Sequence, residues 1–164
     1  MTPEDQTFLD VSIAEQRLAL LEQGRISLAF PVSTAKNGAG QQKGSERTPL
    51  GWHCIRAKIG AGAGADTVFV GRRPTGEIYS PALAAAQPQR DWILSRILWL
   101  GGLEAGFNRY GDVDSGWRYI YIHGSPERDV LGGPASHGCI RMRNADVISL
   151  FDRVAAGCRV FIHE

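Results

Sequence analysis

Trp117-Arg118-Tyr119-Ile120-Tyr121-Ile122-His123-Gly124 is the stretch that decides the fold. Its aromatic and β-branched residues are those enriched in strands, so residues 117–122 are expected to form a strand ending at His123-Gly124. Similar short runs lie on either side. Residues 8–13, 17–21 and 26–32 alternate apolar with smaller or polar positions, and Glu22-Gln23-Gly24-Arg25 reads as a turn. Alternation broken by tight turns is the pattern of antiparallel strands. Residues 52–58, 67–70, 78–79 and 159–162 add further strands. Residues 92–100 (WILSRILWL) fit a buried strand or a short helix by periodicity, and the strands around them favour strand. One segment is helical by pattern. In residues 146–156, Val147, Leu150, Phe151 and Val154 fall at i, i+3, i+4 and i+7, with Asn144 as N-cap. The expectation is a mostly β fold with one principal helix near the C-terminus, in a single domain over residues 1–164.

Composition agrees and narrows the function classes. A chain of 164 residues suits one domain, and 43% apolar with 21% charged residues is ordinary for a soluble globule. Twenty glycines exceed the usual share of about 7%, which implies many tight turns. Lys plus Arg number 18 and Asp plus Glu 17, a balance that argues against holding nucleic acid or anionic lipid by bulk charge. No run of ~20 apolar residues exists to span a membrane. Residues 1–6 lack a basic and then apolar leader pattern, so the expected compartment is the cytoplasm, or the periplasm if a leader precedes Met1. Three cysteines, Cys54, Cys139 and Cys158, cannot all pair and fit a reducing compartment. Residues 36–48, 60–65 and 74–88 read as loops.

Reactive side chains concentrate between His123 and Arg143. A His-Gly is followed by a Gly- and Pro-bearing loop and then by Ser136-His137-Gly138-Cys139-Ile140-Arg141. A thiol attacks as its thiolate, and a nearby imidazole can take the proton. Gly138 permits a tight turn that would aim the N–H groups of Gly138 and Cys139 at one point, as an oxyanion requires. Blander readings compete. A lone cysteine is usually a small buried hydrophobe, which is the reading for Cys54 and Cys158, and a lone histidine such as His53 or His163 is usually structural. His123, His137 and Cys139 also carry the atoms of a zinc site, although no paired CxxC or HExxH accompanies them.

At these residues the sequence resembles the L,D-transpeptidase catalytic domain family, also called YkuD-type. The stretch IHGSPERDVLGGPASHGCIRM carries the family's His-Gly followed by Ser-His-Gly-Cys, an apolar residue and Arg. Pro31-Val32-Ser33-Thr34, Thr48-Pro49-Leu50-Gly51 and Arg118-Tyr119-Ile120-Tyr121-Ile122 resemble other family segments. The resemblance implies a YkuD-type β-sandwich, with Cys139 as nucleophile and His123 as base and later acid. Gly124 would orient the His123 ring through its carbonyl. Ser136, His137 and Gly138 belong to the same motif, with His137 placed to touch substrate. Arg141 would hold a substrate carboxylate or brace the loop. The implied substrate is a peptidoglycan stem tetrapeptide or muropeptide, cleaved at its L,D bond with loss of D-Ala. Water as acceptor makes the enzyme an L,D-carboxypeptidase of wall recycling, the expected activity; an amine acceptor makes it an L,D-transpeptidase. A non-catalytic muropeptide-binding domain is the remaining reading. No cofactor, metal, nucleic acid, membrane or protein partner is implied.

Overall fold

Strands β1 (Phe8–Ser12), β2 (Arg17–Glu22) and β3 (Arg25–Pro31) open the chain as an antiparallel meander. They belong to one ten-stranded sheet in the computed structural model, which describes residues 6–164. The others are β4 (Gly51–Ile59), β5 (Thr67–Val70), β6 (Arg73–Ile78), β7 (Ile93–Gly102), β8 (Tyr121–Ser125), β9 (Ile140–Arg143) and β10 (Arg159–His163). The sheet order is β3-β2-β1-β10-β4-β7-β5-β6, and β8 joins β7 on one side and β9 on the other. The fold is mostly β, and its curled sheet wraps a core.

Period-two alternation fills that core. Leu9 and Val11, Leu18 and Leu20, Leu98 and Leu100, and Val160 and Ile162 all turn inward and are buried. Each such side chain contributes roughly 1.5–3 kcal/mol of burial, before the entropy of ordering the chain is counted. The principal helix, α2 (Asn144–Arg153), closes the core by laying Val147, Leu150 and Phe151 against β7 and β8. Lys58 Nζ satisfies two carbonyls at its C-terminal end, those of Phe151 and Val154, each at 2.7 Å.

Several expected boundaries move, for identifiable reasons. The strand expected over residues 117–122 begins only at Tyr121 and runs on through His123 and Gly124 to Ser125. Asp114 holds residues 117–120 in a turn: its carboxylate accepts the Trp117 N–H at 3.0 Å, and its carbonyl accepts the Arg118 N–H at 2.9 Å. His123 therefore sits mid-strand. β8 extends past it because β9 pairs alongside in parallel, with His123 opposite Arg141 and Ser125 opposite Arg143. The strand expected at residues 78–79 is the end of β6, which starts at Arg73 despite Pro74 and Gly76. Within the expected loop 74–88, Ser80 caps a short helix, α1 (Pro81–Ala86), by accepting the Leu83 N–H at 3.1 Å. Helix α2 starts at Asn144, so Arg143 is its N-cap, and it ends at Arg153 because Val154 is extended.

Candidate active site

The same alternation that fills the core builds the site. Ile122, Ile140 and Met142 point into the main core. Their neighbours Tyr121, His123, Cys139 and Arg141 therefore share the opposite face of the β8–β9 pair. Cys139 lies one residue before β9, and its Sγ sits 3.3 Å from the Tyr121 N of β8, two residues before His123. It packs against Phe69, Ile97 and Tyr121.

His123 is almost fully buried, and its Nδ1 lies 2.6 Å from the Gly124 carbonyl. A carbonyl only accepts, so Nδ1 carries the proton and Nε2 presents a lone pair. The Ser125 hydroxyl lies 3.3 Å from the same Nδ1. Glycine is required at position 124: a Cβ there would meet the Leu94 carbonyl oxygen at 2.5 Å and Asn144 Oδ1 at 2.6 Å. β8 can approach β7 this closely because β7 carries an irregularity at Ser95, whose φ is +70°.

The Cys139 thiol accepts the Tyr121 N–H at 3.3 Å and donates to the Tyr119 carbonyl at 3.4 Å. Among the described residues it makes no hydrogen bond to the His123 ring. Burial pushes the thiol up to about 11 and holds His123 below the ordinary imidazole range. Both shifts favour the neutral forms, thiol and imidazole. Asp91 and Arg141 act on both groups, Asp91 raising and Arg141 lowering each.

The turn before Cys139 is tied down from several sides. The Ser136 hydroxyl donates to the Cys139 carbonyl at 2.5 Å and accepts the Gly138 N–H at 3.2 Å. That second bond corrects the expected oxyanion pair, because the Gly138 N–H is already engaged. Thr48 Oγ1 donates to the Gly138 carbonyl at 3.0 Å and accepts the Ala35 N–H at 2.9 Å. Ser33 and Arg141 exchange backbone hydrogen bonds at 2.9 Å, which flanks β9 on its free side. Gly138 has a φ of +134°, a conformation open to glycine.

Arg141 is buried rather than solvated, and its guanidinium binds Asp91 at 2.8 Å. His137 is exposed and lies 3.9 Å from the other Asp91 oxygen. Asp91 escaped the sequence reading, since nothing in Gln89-Arg90-Asp91-Trp92 marks it and its partners lie some fifty positions away. Arg118 escaped as well. Its half-buried guanidinium donates to the carbonyls of Gly40, Gln41 and Arg47, and its charge lowers the Cys139 thiol. A groove of about 440 Å³ runs past this region, lined by Lys43, Glu46, Trp117, Arg118, Tyr119 and His137. Among the described residues no three His, Cys, Asp or Glu side chains gather as a metal site, and no helix is long and apolar enough to cross a membrane. Cys54 and Cys158 lie outside the cluster, each partly buried.

Comparison with known proteins places this geometry. The sequence profile of YkuD, the L,D-transpeptidase catalytic domain, matches residues 6–162. Probable L,D-transpeptidase YbiS of Escherichia coli strain K12 is 46% identical over 48 residues, which cover 29% of this chain and 16% of that protein. Putative L,D-transpeptidase YqjB of Bacillus subtilis is 38% identical over 63 residues, covering 38% of this chain and 34% of that protein. The matches thus span 16% and 34% of these relatives' lengths. The crystal structure of an L,D-transpeptidase fragment from Xylanimonas cellulosilytica superposes with a TM-score of 0.58 at 19% identity, over 99% of this chain and 63% of that one. At that identity the likeness is one of fold.

Proposed function

We propose that this chain, which belongs to the YkuD family of L,D-transpeptidase catalytic domains, is a cysteine acyl-transfer enzyme acting on peptidoglycan stem tetrapeptides, with water as its acceptor. The observation that carries the reading is the shared face: the Cys139 thiol rests on the Tyr121 N–H of β8, two residues before His123, with Nε2 of His123 left as the acceptor nitrogen. The catalytic unit is taken as the single domain expected from the sequence.

With burial favouring the neutral thiol and imidazole, attack and proton transfer go together. The thiol turns from the Tyr119 carbonyl toward Nε2. Sγ bonds to the carbonyl carbon of the third residue while its proton passes to Nε2. The Cys139 N–H and the Arg118 charge favour the negative charge that develops. The imidazolium then returns the proton to the departing amine, the C–N bond breaks, and D-Ala leaves a thioester on Cys139. Water, deprotonated by Nε2, hydrolyses the thioester and restores thiol and tripeptide. Ser136 holds the turn, Gly124 fixes the ring, and the Arg141–Asp91 pair braces the face beside both reacting groups.

One feature supports hydrolysis over cross-linking: the groove of about 440 Å³ that runs past Tyr119 and His137 has room for one stem peptide. The substrate would be soluble muropeptide from wall turnover, met in the cytoplasm. Incubation with disaccharide tetrapeptide, with and without a D-amino acid, followed by mass analysis, tests this. Tripeptide and free D-Ala in both samples are expected. Exchange product with no tripeptide makes the enzyme a transpeptidase, and no conversion of either kind makes it a binding domain.

A further inference from the structure

Beyond the peptide groove lies a second one of about 350 Å³, and Trp117 lines both. Gly101, Gly102 and Gly116 line it with Arg56, whose guanidinium lies over Gly116: a Cβ there would meet Arg56 Nη1 at 2.6 Å. Its walls are Tyr110 and Trp117, which leave 58% and 62% of their surfaces to solvent. Exposure of two large rings at one groove is uncommon for residues with nothing to bind.

The backbone under both rings is tied together. One Asp114 carboxylate accepts the backbone N–H of Tyr110 at 2.7 Å and of Trp117 at 3.0 Å, and so ties together the backbone that carries both aromatics. Tyr110 is kept at a φ of +73°, a conformation that costs a bulky residue free energy. The Arg109 guanidinium stacks on the Tyr110 ring at 4.8 Å, and Arg56 stacks on Trp99 at 4.2 Å. No acidic side chain forms an ion pair with Arg56 or Arg109 among the described residues. The groove thus offers two exposed aromatic side chains beside the guanidinium groups of Arg56 and Arg109 and the Asp114 carboxylate.

We propose that this second groove is a saccharide subsite, which takes the amino-sugar end of the muropeptide whose stem lies in the first groove. The proposal rests on the function given above. Continuity through Trp117 selects this occupant: a stem held with its third residue at Cys139 extends roughly 10 Å back to its sugar, the reach of three residues. A pyranose lays its apolar C–H face on an aromatic ring and turns its hydroxyls and acetamido carbonyl to the arginines. The volume suits a small ligand and is too small for a protein interface.

The test pairs turnover with binding. Free tetrapeptide and disaccharide tetrapeptide are compared in the wild type, in Tyr110→Ala and in Arg109→Ala. Binding of the peptide-free disaccharide of N-acetylglucosamine and N-acetylmuramic acid is followed in the same proteins by tryptophan fluorescence. The disaccharide substrate is expected to have a kcat/KM about tenfold above the free peptide. Both variants should remove most of that advantage, leave free-peptide turnover within about twofold, and weaken disaccharide binding. Equal kcat/KM for the two substrates, or disaccharide binding unchanged in both variants, overturns the subsite while the acyl-transfer reading stands. Disaccharide binding that the variants weaken, with neither peptide turned over, keeps the subsite and sinks the acyl-transfer reading.

Discussion

Two buried histidines in this molecule have nearly the same surroundings and different prospects. His53 and His123 are both shut away from solvent, and each places Nδ1 against a glycine carbonyl, Gly51 at 3.0 Å and Gly124 at 2.6 Å. Burial lowers both, His53 to about 4. They part at Nε2. In His53 that nitrogen lies 2.8 Å from the Ser115 hydroxyl, itself fully buried, so both ring nitrogens are closed. In His123 no hydrogen bond closes Nε2 among the described residues, and the ring shares its face with a thiol. A low pKa and full burial thus do not distinguish a base from a structural histidine; an open nitrogen beside a nucleophile does.

The sharpest way to break the contrast is to remove each ring. His123→Ala is expected to cut turnover at least a thousandfold with the fold retained, as judged by circular dichroism and steady-state kinetics. His53→Ala should leave two buried polar partners unpaired and lower stability by about 2–4 kcal/mol in urea unfolding, while the turnover of the folded fraction stays within about twofold. If His53→Ala removes turnover without unfolding, the assignment of the two histidines is reversed.

Acid sharpens the comparison further. An unfolded His53 takes its proton near pH 6.5, whereas the folded one resists until about pH 4. Between those values the unfolded chain binds more protons, so stability should fall as pH drops from about 6.5 to 4, by up to about 3 kcal/mol. Replacing His53 by a neutral residue should flatten that slope, and urea midpoints across pH would show it. A smaller effect is expected at Arg118, whose charge lowers the Cys139 thiol. Arg118→Met should slow alkylation of Cys139 by a few-fold, read by mass spectrometry against the other two cysteines. Smallest of all, Cys158→Ser should leave turnover within twofold.

Much of this was legible in the sequence because it rests on local pattern. Alternation placed β1, β2 and β3, short apolar runs placed β4, β5 and β10, the neighbouring strands favoured β7, and the motif around Cys139 brought the reactive residues into view. What escaped depends on contacts distant along the chain. The start of β8 is set by Asp114 folding residues 117–120 into a turn, and its end by a parallel partner that local pattern does not announce. Helix α1 hides in a stretch rich in Ala and Pro that reads as loop. Asp91 gains its place beside Arg141 and His137 only once β7 and β9 are assembled. The shift of Cys139 and His123 toward their neutral forms follows from burial, which no motif records.

The account stands on a covalent bond at one sulfur, and intact-protein mass spectrometry with peptide mapping tests it directly. An acid quench during turnover of disaccharide tetrapeptide should trap an adduct of the substrate less D-Ala on the peptide containing Cys139, and Cys139→Ala should show neither adduct nor turnover. Undiminished turnover in Cys139→Ala, or an adduct confined to Cys54 or Cys158, would contradict it.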